Sequence, residues 1–452
     1  MHDLGIIGSG PGGYVAAERA GQAGLDTVIF EKDELGGVCL NTGCIPTKTL
    51  LNSVKHLSYA RDAKAFGVMA ENVGFDFKAI MKRKKKVVKK LVAGVGTKMK
   101  HNKVQVVNGE AVIQERTAKG IVVKCGDDTY EFKNVIIATG SLAAIPPIEG
   151  LDREQILTNV EALELEKLPE KMVVIGGGVI GMEFTDIFST LGGDVTIVEM
   201  MPEVMPSMDS DLAAMLRQNF EKRGVEFHLS AKVTKVDGKT VHFEKDGETQ
   251  SLAADEVLVS VGRTPNCGNC GLENIGVETE KGIVKVDEKC RTNVPGVYAI
   301  GDVTGGALLA HTASRAGEVV VNNLTGREDR FRPDAVPWVE YTHPEVAGVG
   351  LTEDQAKAGD IEVDIRKLPM AYAGRFVAET HREEGFCKIL AEPATGRVLG
   401  VHMIGGSCSE MIYGAAMALE MEMTVDELEE VIFPHPTVSE IIRETTFAFR
   451  EK

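Results

Sequence analysis

The same glycine-punctuated unit occurs twice in this chain, and a unit of that kind has few structural solutions. In the first copy an apolar strand, Leu4 to Ile7, runs into Gly8-Ser9-Gly10-Pro11-Gly12-Gly13. A helix of small residues follows from Val15 to Ala23, then a strand from Thr27 to Phe30 that ends in Glu31. This is the order that a βαβ dinucleotide-binding unit demands. Gly8 permits a tight turn, Gly10 lets the backbone approach a pyrophosphate, and Gly13 lets helix and strand pack closely. The helix N-terminus faces the phosphates, and Glu31 can accept hydrogen bonds from a ribose. The second copy runs from the strand Met172–Ile175 through Gly176-Gly177-Gly178-Val179-Ile180-Gly181 to a strand, Val195–Val198, that ends in Glu199. Two complete fingerprints imply two dinucleotides, a flavin (FAD) and a nicotinamide (NAD), one able to pass a hydride to the other. Glu199 favours NAD over NADP at the second copy, because a carboxylate suits a 2′-hydroxyl and repels a 2′-phosphate. No Arg or Lys follows it until Arg217.

At 452 residues the chain exceeds what one hydrophobic core supports, so several domains are expected. No apolar run reaches the roughly 18 residues of a membrane span, and no membrane association is expected. The opening MHDLGIIGSG has no basic n-region or cleavage site, which points to a cytoplasmic protein. A net charge of −17 argues against nucleic acid as a partner. The run Lys82–Lys90 opposes that trend, but Val87, Val88, Leu91 and Val95 recur at helical spacing, so the lysines read as the wet face of an amphipathic helix.

Eight cysteines in a cytoplasmic chain of this size do not suggest a disulfide scaffold, so a disulfide here should be catalytic. Cys39 and Cys44 stand out in Gly36-Gly37-Val38-Cys39-Leu40-Asn41-Thr42-Gly43-Cys44-Ile45-Pro46-Thr47-Lys48. Five positions apart, they can bridge if the residues between them form about one turn. So small a loop gives little entropic stabilisation, which disfavours a structural staple. Pro46 and the apolar periodicity of Thr47–Leu57 place Cys44 at a helix N-terminus, where the dipole should lower its thiolate pKa. A zinc site would need a second pair, for which Cys267/Cys270 is the candidate. No metal is expected.

Two further strings shape the domain plan. Val135 to Gly140 is an apolar strand ending in glycine, read as a crossover between nucleotide domains. Asn293 to Asp302 is a turn, an apolar strand and then Gly301-Asp302 before a helix at about 310–323. Asp302 suits either a flavin ribityl chain or an N-cap. The plan is an α/β fold: a flavin domain over 1–145 that resumes over 263–331, a nicotinamide domain over 146–262, and an α+β domain over 332–452. The last has strands Cys387–Leu390 and Val398–Ile404 and helices Met411–Glu420 and Val425–Val431.

Together the two fingerprints, GGVCLNTGCIPTK, the ATG strand, GRTPN (Gly262 to Asn266), YAIGD and the C-terminal HPTVSE resemble the pyridine-nucleotide disulfide oxidoreductases over residues 3–446. The resemblance implies two Rossmann-like domains, a C-terminal dimerisation domain and a homodimer. It implies that Cys39 is the interchange thiol, Cys44 the thiolate beside the flavin, and Lys48, paired with Glu183, a neighbour of the flavin's reactive nitrogen. Asp302, Gly140 and Gly262 would contact cofactor, and His435, oriented by Glu440, would be a general base supplied by the other subunit. An imidazole is well matched to taking a proton from a dithiol near pH 7. Taken alone, His435 reads as a loop histidine. His311, His343 and His402 read as structural.

Within the family the chain is similar to the branch that oxidises a protein-borne dihydrolipoyl group with NAD⁺. It lacks the basic residues that follow the second fingerprint in NADP-dependent members, ends FAFREK where the mercury-reducing branch has a cysteine pair, and has two redox cysteines where the oxidases have one. No lipoyl domain is read in the chain, so the dithiol is expected on a carrier protein of a multienzyme complex. The alternative is an NADH-dependent reductase of another small disulfide. One departure is Asn266-Cys267-Gly268-Asn269-Cys270, where the family runs through a short polar turn. A Cys-x-x-Cys is either a redox motif or half a metal site. A turn that happens to carry thiols is the expectation here.

Overall fold

The computed structural model describes residues 1–151 and 156–450. The chain forms two compact units. One comprises Met1–Thr49, Met81–Ala144 and Gly262–Arg332; the other comprises Leu50–Ile80, Ile145–Val261 and Pro333–Lys452. Residues 50–80, read from sequence as part of the flavin domain, pack with the second unit. There Arg61 donates to the Thr190 carbonyl at 2.6 Å and Lys55 pairs with Glu345 at 3.3 Å.

The first unit is built on a sheet in the order Gln105–Asn108, Thr27–Glu31, His2–Ile7, Asp128–Ile137, Ile121–Cys125, Ala111–Arg116, with Val297–Ala299 also paired to Asp128–Ile137. The strands that carry the fingerprint are parallel, and those toward Ala111–Arg116 are antiparallel. Leu4, Ile6, Val28, Ile29 and Ile136 are fully buried; burial on both faces is what a near-continuous apolar strand needs. The helix Pro11–Gln22 packs Ala16, Ala17 and Ala20 inward, and small residues let it lie close to the sheet and to the helix Ala310–Leu324. Order reverses beside His2–Ile7, the place where doubly wound folds bind ligand.

The second unit repeats the plan in smaller form: parallel strands in the order Glu226–His228, Asp194–Val198, Lys171–Ile175, Glu256–Val259. An antiparallel meander, Lys232–Asp237, Thr240–Lys245 and Glu248–Ala253, accompanies it. Its C-terminal part is a five-stranded antiparallel sheet, Trp338–Glu340, Val346–Gly350, Val398–Ile404, Phe386–Ala391 and Asp364–Pro369. The helices Cys408–Glu420 and Glu440–Phe447 share its core through Ala415, Ala418, Ile441 and Ile442. Among the described residues no helix is long and apolar enough to cross a membrane.

Within this unit one charge cluster ties the nucleotide-binding part to the C-terminal sheet. The Lys388 side chain is only 1% exposed, and its Nζ lies 2.8 Å from Asp209, Asp211 and Glu353. Asp209 is wholly buried and caps the helix Ser210–Lys222. Burial lowers the Lys388 pKa, yet the hydrogen bonds it donates to the three carboxylates hold it above the usual lysine value. Burial also raises the Asp211 carboxyl, but hydrogen bonds from Lys367 and Lys388 outweigh it and bring the group down to about 2. A depressed acid stabilises the fold above its unfolded pKa and loses that contribution as pH falls through the folded value. The Asp211 contribution is therefore intact at neutral pH and fades between about pH 4 and pH 2. Lys388→Met leaves Asp209 buried and uncompensated, and should cost about 3–5 kcal/mol. Urea unfolding followed at Trp338, the sole tryptophan, in the same sheet, reads this directly. A loss below about 1 kcal/mol would show that the cluster does not hold the two parts together.

Candidate active site

Both fingerprints fold as the glycines require. Gly8 has φ +101°, and a Cβ there would meet the Ala138 carbonyl oxygen at 2.3 Å. At Gly13 a Cβ would come within 2.0 Å of the Gly8 oxygen. The second unit matches: Gly176 has φ +101°, and a Cβ at Gly181 would lie 2.2 Å from the Gly176 oxygen. By contrast, a Cβ at Gly10 or Gly178, the N-caps of the helices Pro11–Gln22 and Val179–Thr190, would meet nothing within 4 Å. Each turn is thus packed tightly behind and open in front, at a helix N-terminus with free N–H groups. Such a cradle fits a pyrophosphate, and the chain has two.

The acids at the strand ends are fixed by the same loops. Glu31 Oε2 accepts from the Ser9 N–H at 3.0 Å and from the Ser9 hydroxyl at 2.6 Å. Glu199 accepts from the Gly177 N–H at 2.6 Å and the Met201 N–H at 2.7 Å. Arg217, the next cation along the chain, is engaged with Glu203 at 2.9 Å and Glu221 at 2.7 Å.

Cys39 lies in a short helix, Gly37–Asn41, and Cys44 opens the long helix Cys44–Asp62. The turn between them brings the thiols into hydrogen-bonding contact, and that bond, with burial second, pushes the Cys39 thiol far above its ordinary value. Lys48, one helical turn beyond Cys44, pulls the other way. The two sulfurs are therefore close enough to exchange a proton or to form a bond. Tyr14 stands near both sulfurs; its hydroxyl pKa is raised by burial first and by the two cysteines second.

In the same unit the crossover strands Ser141–Ala143 and Arg263–Pro265 pair antiparallel, so the ATG and GRTPN strings adjoin. Gly140 accepts from the Asn266 N–H at 2.8 Å. Gly140 and Gly262 have φ +70° and +118°, with open space where a Cβ would be. Asp302 is not an N-cap: the helix Ala310–Leu324 begins after Leu309, and Asp302 sits in the 3-10 turn Gly301–Thr304. Its carboxylate accepts from the Ser141 hydroxyl at 2.5 Å, while Arg263 Nε donates to the same Ser141 oxygen at 2.7 Å. Burial lowers the Arg263 pKa, and Asp302 and then Cys44 oppose this. Sequence reasoning missed Ser141, Arg263 and Tyr14, although all three flank quoted motifs.

In the second unit Glu183 is buried on the helix Val179–Thr190. His435 Nδ1 lies 2.9 Å from Glu440, whose other oxygen accepts from the Thr437 N–H at 2.8 Å. The Thr437 bond first and His435 second hold the Glu440 carboxyl below its usual range. The His435 side chain is 79% exposed, so its second nitrogen is open for chemistry. His402 is buried, bonded to the Leu351 carbonyl at 2.8 Å. Cys267 donates to the Gly282 carbonyl at 2.8 Å and Cys270 toward the Cys267 carbonyl at 3.7 Å. Burial raises both thiols, Cys270 to about 11, and no cluster of three or more metal-binding side chains exists among the described residues.

Two dinucleotide cradles and a helix-initiating thiol pair define a two-nucleotide disulfide oxidoreductase. Residues 2–317 match the family model for pyridine nucleotide-disulphide oxidoreductases and residues 336–446 match its dimerisation domain, and the chain belongs to that family. Its relatives include a dihydrolipoyl dehydrogenase of Rhizobium etli, 42% identical over 98% of this chain and 97% of that one. A dihydrolipoyl dehydrogenase of Bacillus subtilis is 41% identical over 97% and 94%. The solved LpdA of Mycobacterium tuberculosis is similar in structure, with TM-score 0.91 and 29% identity over 99% of this chain and all of that one.

Two predictions follow from the site. Like charges about 4 Å apart repel by ~1–4 kcal/mol at effective dielectrics between water and a protein surface, so kcat/KM for NAD should exceed that for NADP by at least about fivefold. Equal values would remove Glu199 from cofactor choice. Cys267→Ser with Cys270→Ser should leave turnover within about twofold, because raised, backbone-bonded thiols are poor nucleophiles; a large loss of kcat, or stoichiometric metal in the purified protein, would assign them chemistry.

Proposed function

We propose that this chain oxidises the dithiol of a protein-bound dihydrolipoyl group and delivers the electrons to NAD⁺, using the Cys39–Cys44 pair and FAD. The observation that carries the reading is the contact of these two thiols at the start of a helix, in the unit that holds the first dinucleotide cradle. Relatives about 40% identical over nearly the whole chain bear the corresponding name.

The first cradle, with Gly10, Glu31, Gly140, Gly262 and Asp302, would hold FAD; the second, with Gly178 and Glu199, would hold NAD. Bound FAD supplies a two-electron carrier between the reduced thiol pair and the nicotinamide. The remaining chemistry belongs to side chains. His435 takes the proton of one substrate thiol, and the resulting thiolate attacks Cys39 Sγ of the Cys39–Cys44 disulfide, expelling Cys44 as thiolate. The second substrate thiol then attacks the substrate sulfur of the mixed disulfide, and its proton passes to the departing Cys39. Cys39 leaves, and the substrate is released as a cyclic disulfide. Two electrons now reside on the cysteine pair, with one substrate proton on Cys39 and the other on His435. Glu440 fixes the His435 tautomer and steadies its protonated form. Lys48 would place a positive charge toward the flavin.

An exposed His435 suits a base that serves a second subunit. In the same unit Tyr413, Met417, Met421 and Ile432 are 70%, 50%, 71% and 94% exposed, and a cavity of about 640 Å³ opens between the helix Cys408–Glu420 and the segment Val431–Ser439. This apolar face fits burial in a homodimer. A cytoplasmic setting fits a chain in which the cysteines other than the Cys39–Cys44 pair are free thiols.

His435→Gln should slow reduction of the enzyme by dihydrolipoamide at least about a hundredfold, the scale of a lost positioned base. It should leave reduction by NADH within a fewfold, since no base is needed there. Stopped-flow measurement of the two halves separates them, and equal losses would remove the assigned role. Exchanging subunits between Cys44→Ser and His435→Gln enzymes should restore activity in heterodimers, which contain one intact site; no recovery would place His435 in its own chain's site.

A further inference from the structure

The helix Phe77–His101 carries nine lysines and one arginine and no acid. Removing its +10 from the chain's −17 leaves −27 on the other residues. The sequence reading of a wet face holds in part: Val95 is buried together with Met81 and Met99, but Leu91 is exposed and Lys84, inside the basic run, is buried. Lys82, Lys86, Lys89 and Lys90 are exposed. At 100° per residue these four fall within one sector of the helix, opposite the buried side. A face that needed only hydration would be met by mixed charges, with i,i+4 pairs of opposite sign adding stability. Here Lys82–Lys86 and Lys86–Lys90 are like-charged i,i+4 pairs that oppose helix formation. Among the described residues no carboxylate forms an ion pair with any of the four. The helix is anchored beside the redox centre, because Arg83 donates at 3.0 Å to the carbonyl of Thr49, five residues after Cys44 in the redox helix.

We infer that this cationic face is the docking surface for an acidic patch on the protein that carries the dithiol. The inference rests on the activity proposed above and adds to it a surface and a partner chemistry. Lys82 to Lys90 span only ~12 Å along the axis, and at physiological salt charges are screened beyond about 8 Å. A compact acidic patch therefore meets the lysines and little of the remaining −27. A polynucleotide or an anionic bilayer would extend across that negative surface and be repelled by it. Opposite charge at the rim raises the rate of encounter with a protein partner, whereas free dihydrolipoamide is uncharged and gains nothing from it.

The test compares the FAD-loaded enzyme with a variant in which Lys82, Lys86, Lys89 and Lys90 are all changed to Gln, a good helix former. Substrates are free dihydrolipoamide and a reduced lipoylated carrier domain of net negative charge. The variant should keep the free-substrate rate, lose at least about tenfold in kcat/KM for the carrier, and lose most of its salt dependence. An equal response to both substrates, or an unchanged carrier rate, overturns the docking surface. So does salt-sensitive binding to polynucleotide or anionic vesicles in place of the carrier. Failure of the unmodified enzyme to oxidise free dihydrolipoamide would instead overturn the activity on which the inference rests.

Discussion

The approach of backbone to backbone inside each glycine turn is the constraint on which the rest depends. In the first unit the space where a Gly13 Cβ would be lies 2.0 Å from the Gly8 oxygen, and in the second a Gly181 Cβ would lie 2.2 Å from the Gly176 oxygen. Any side chain at either position would push the helix off its sheet. The helix N-termini would then no longer present their N–H groups to one point in front of Gly10 and Gly178, and Glu31 and Glu199 would lose the loop amides that hold them. A packing requirement behind the turn thus creates the binding surface in front of it.

The second constraint is the close approach of two sulfurs. Cys39 and Cys44 differ in their backbone setting, one inside a five-residue helix and the other at the first residue of a long one. That asymmetry, with the contact between them, puts chemically identical side chains in different electrostatic settings. The thiols elsewhere show the opposite case. Burial raises Cys270 to about 11 and Cys387 to about 12, and such thiols are inert core residues.

What could be read in the sequence was local. The fingerprints, the cysteine string and the helix starting at Cys44 are each set by residues within about thirty positions of one another, so spacing alone reveals them. The helices read at about 310–323 and at 411–420 are present, over 310–324 and 408–420. What escaped was assembled from distant segments. Ser141, Arg263 and Asp302 meet only because two crossover strands pair and a third strand ends beside them. Asp302 looked equally like a helix cap, because strand end, acid and helix occur there in capping order, yet the helix starts eight residues later. Lys388 gave no signal at all: its partners Asp209 and Glu353 lie 179 and 35 positions away. The segment 50–80 packs with the second unit because Lys55 and Arg61 find partners there, which no local pattern announces.

The carboxylates at the two strand ends have an evolutionary consequence. Glu199 is at once the residue that would meet the adenosine ribose and a brace that accepts hydrogen bonds from Gly177 and Met201. Replacing it to admit a phosphate would withdraw support from the turn that must hold the pyrophosphate. A lineage drifting toward NADP therefore cannot arrive by one substitution: it must first find new partners for two amides and then gain a cation. Cofactor preference in a site of this construction is consequently slow to change, and an engineer who wishes to reverse it should redesign residues 199–205 as one piece.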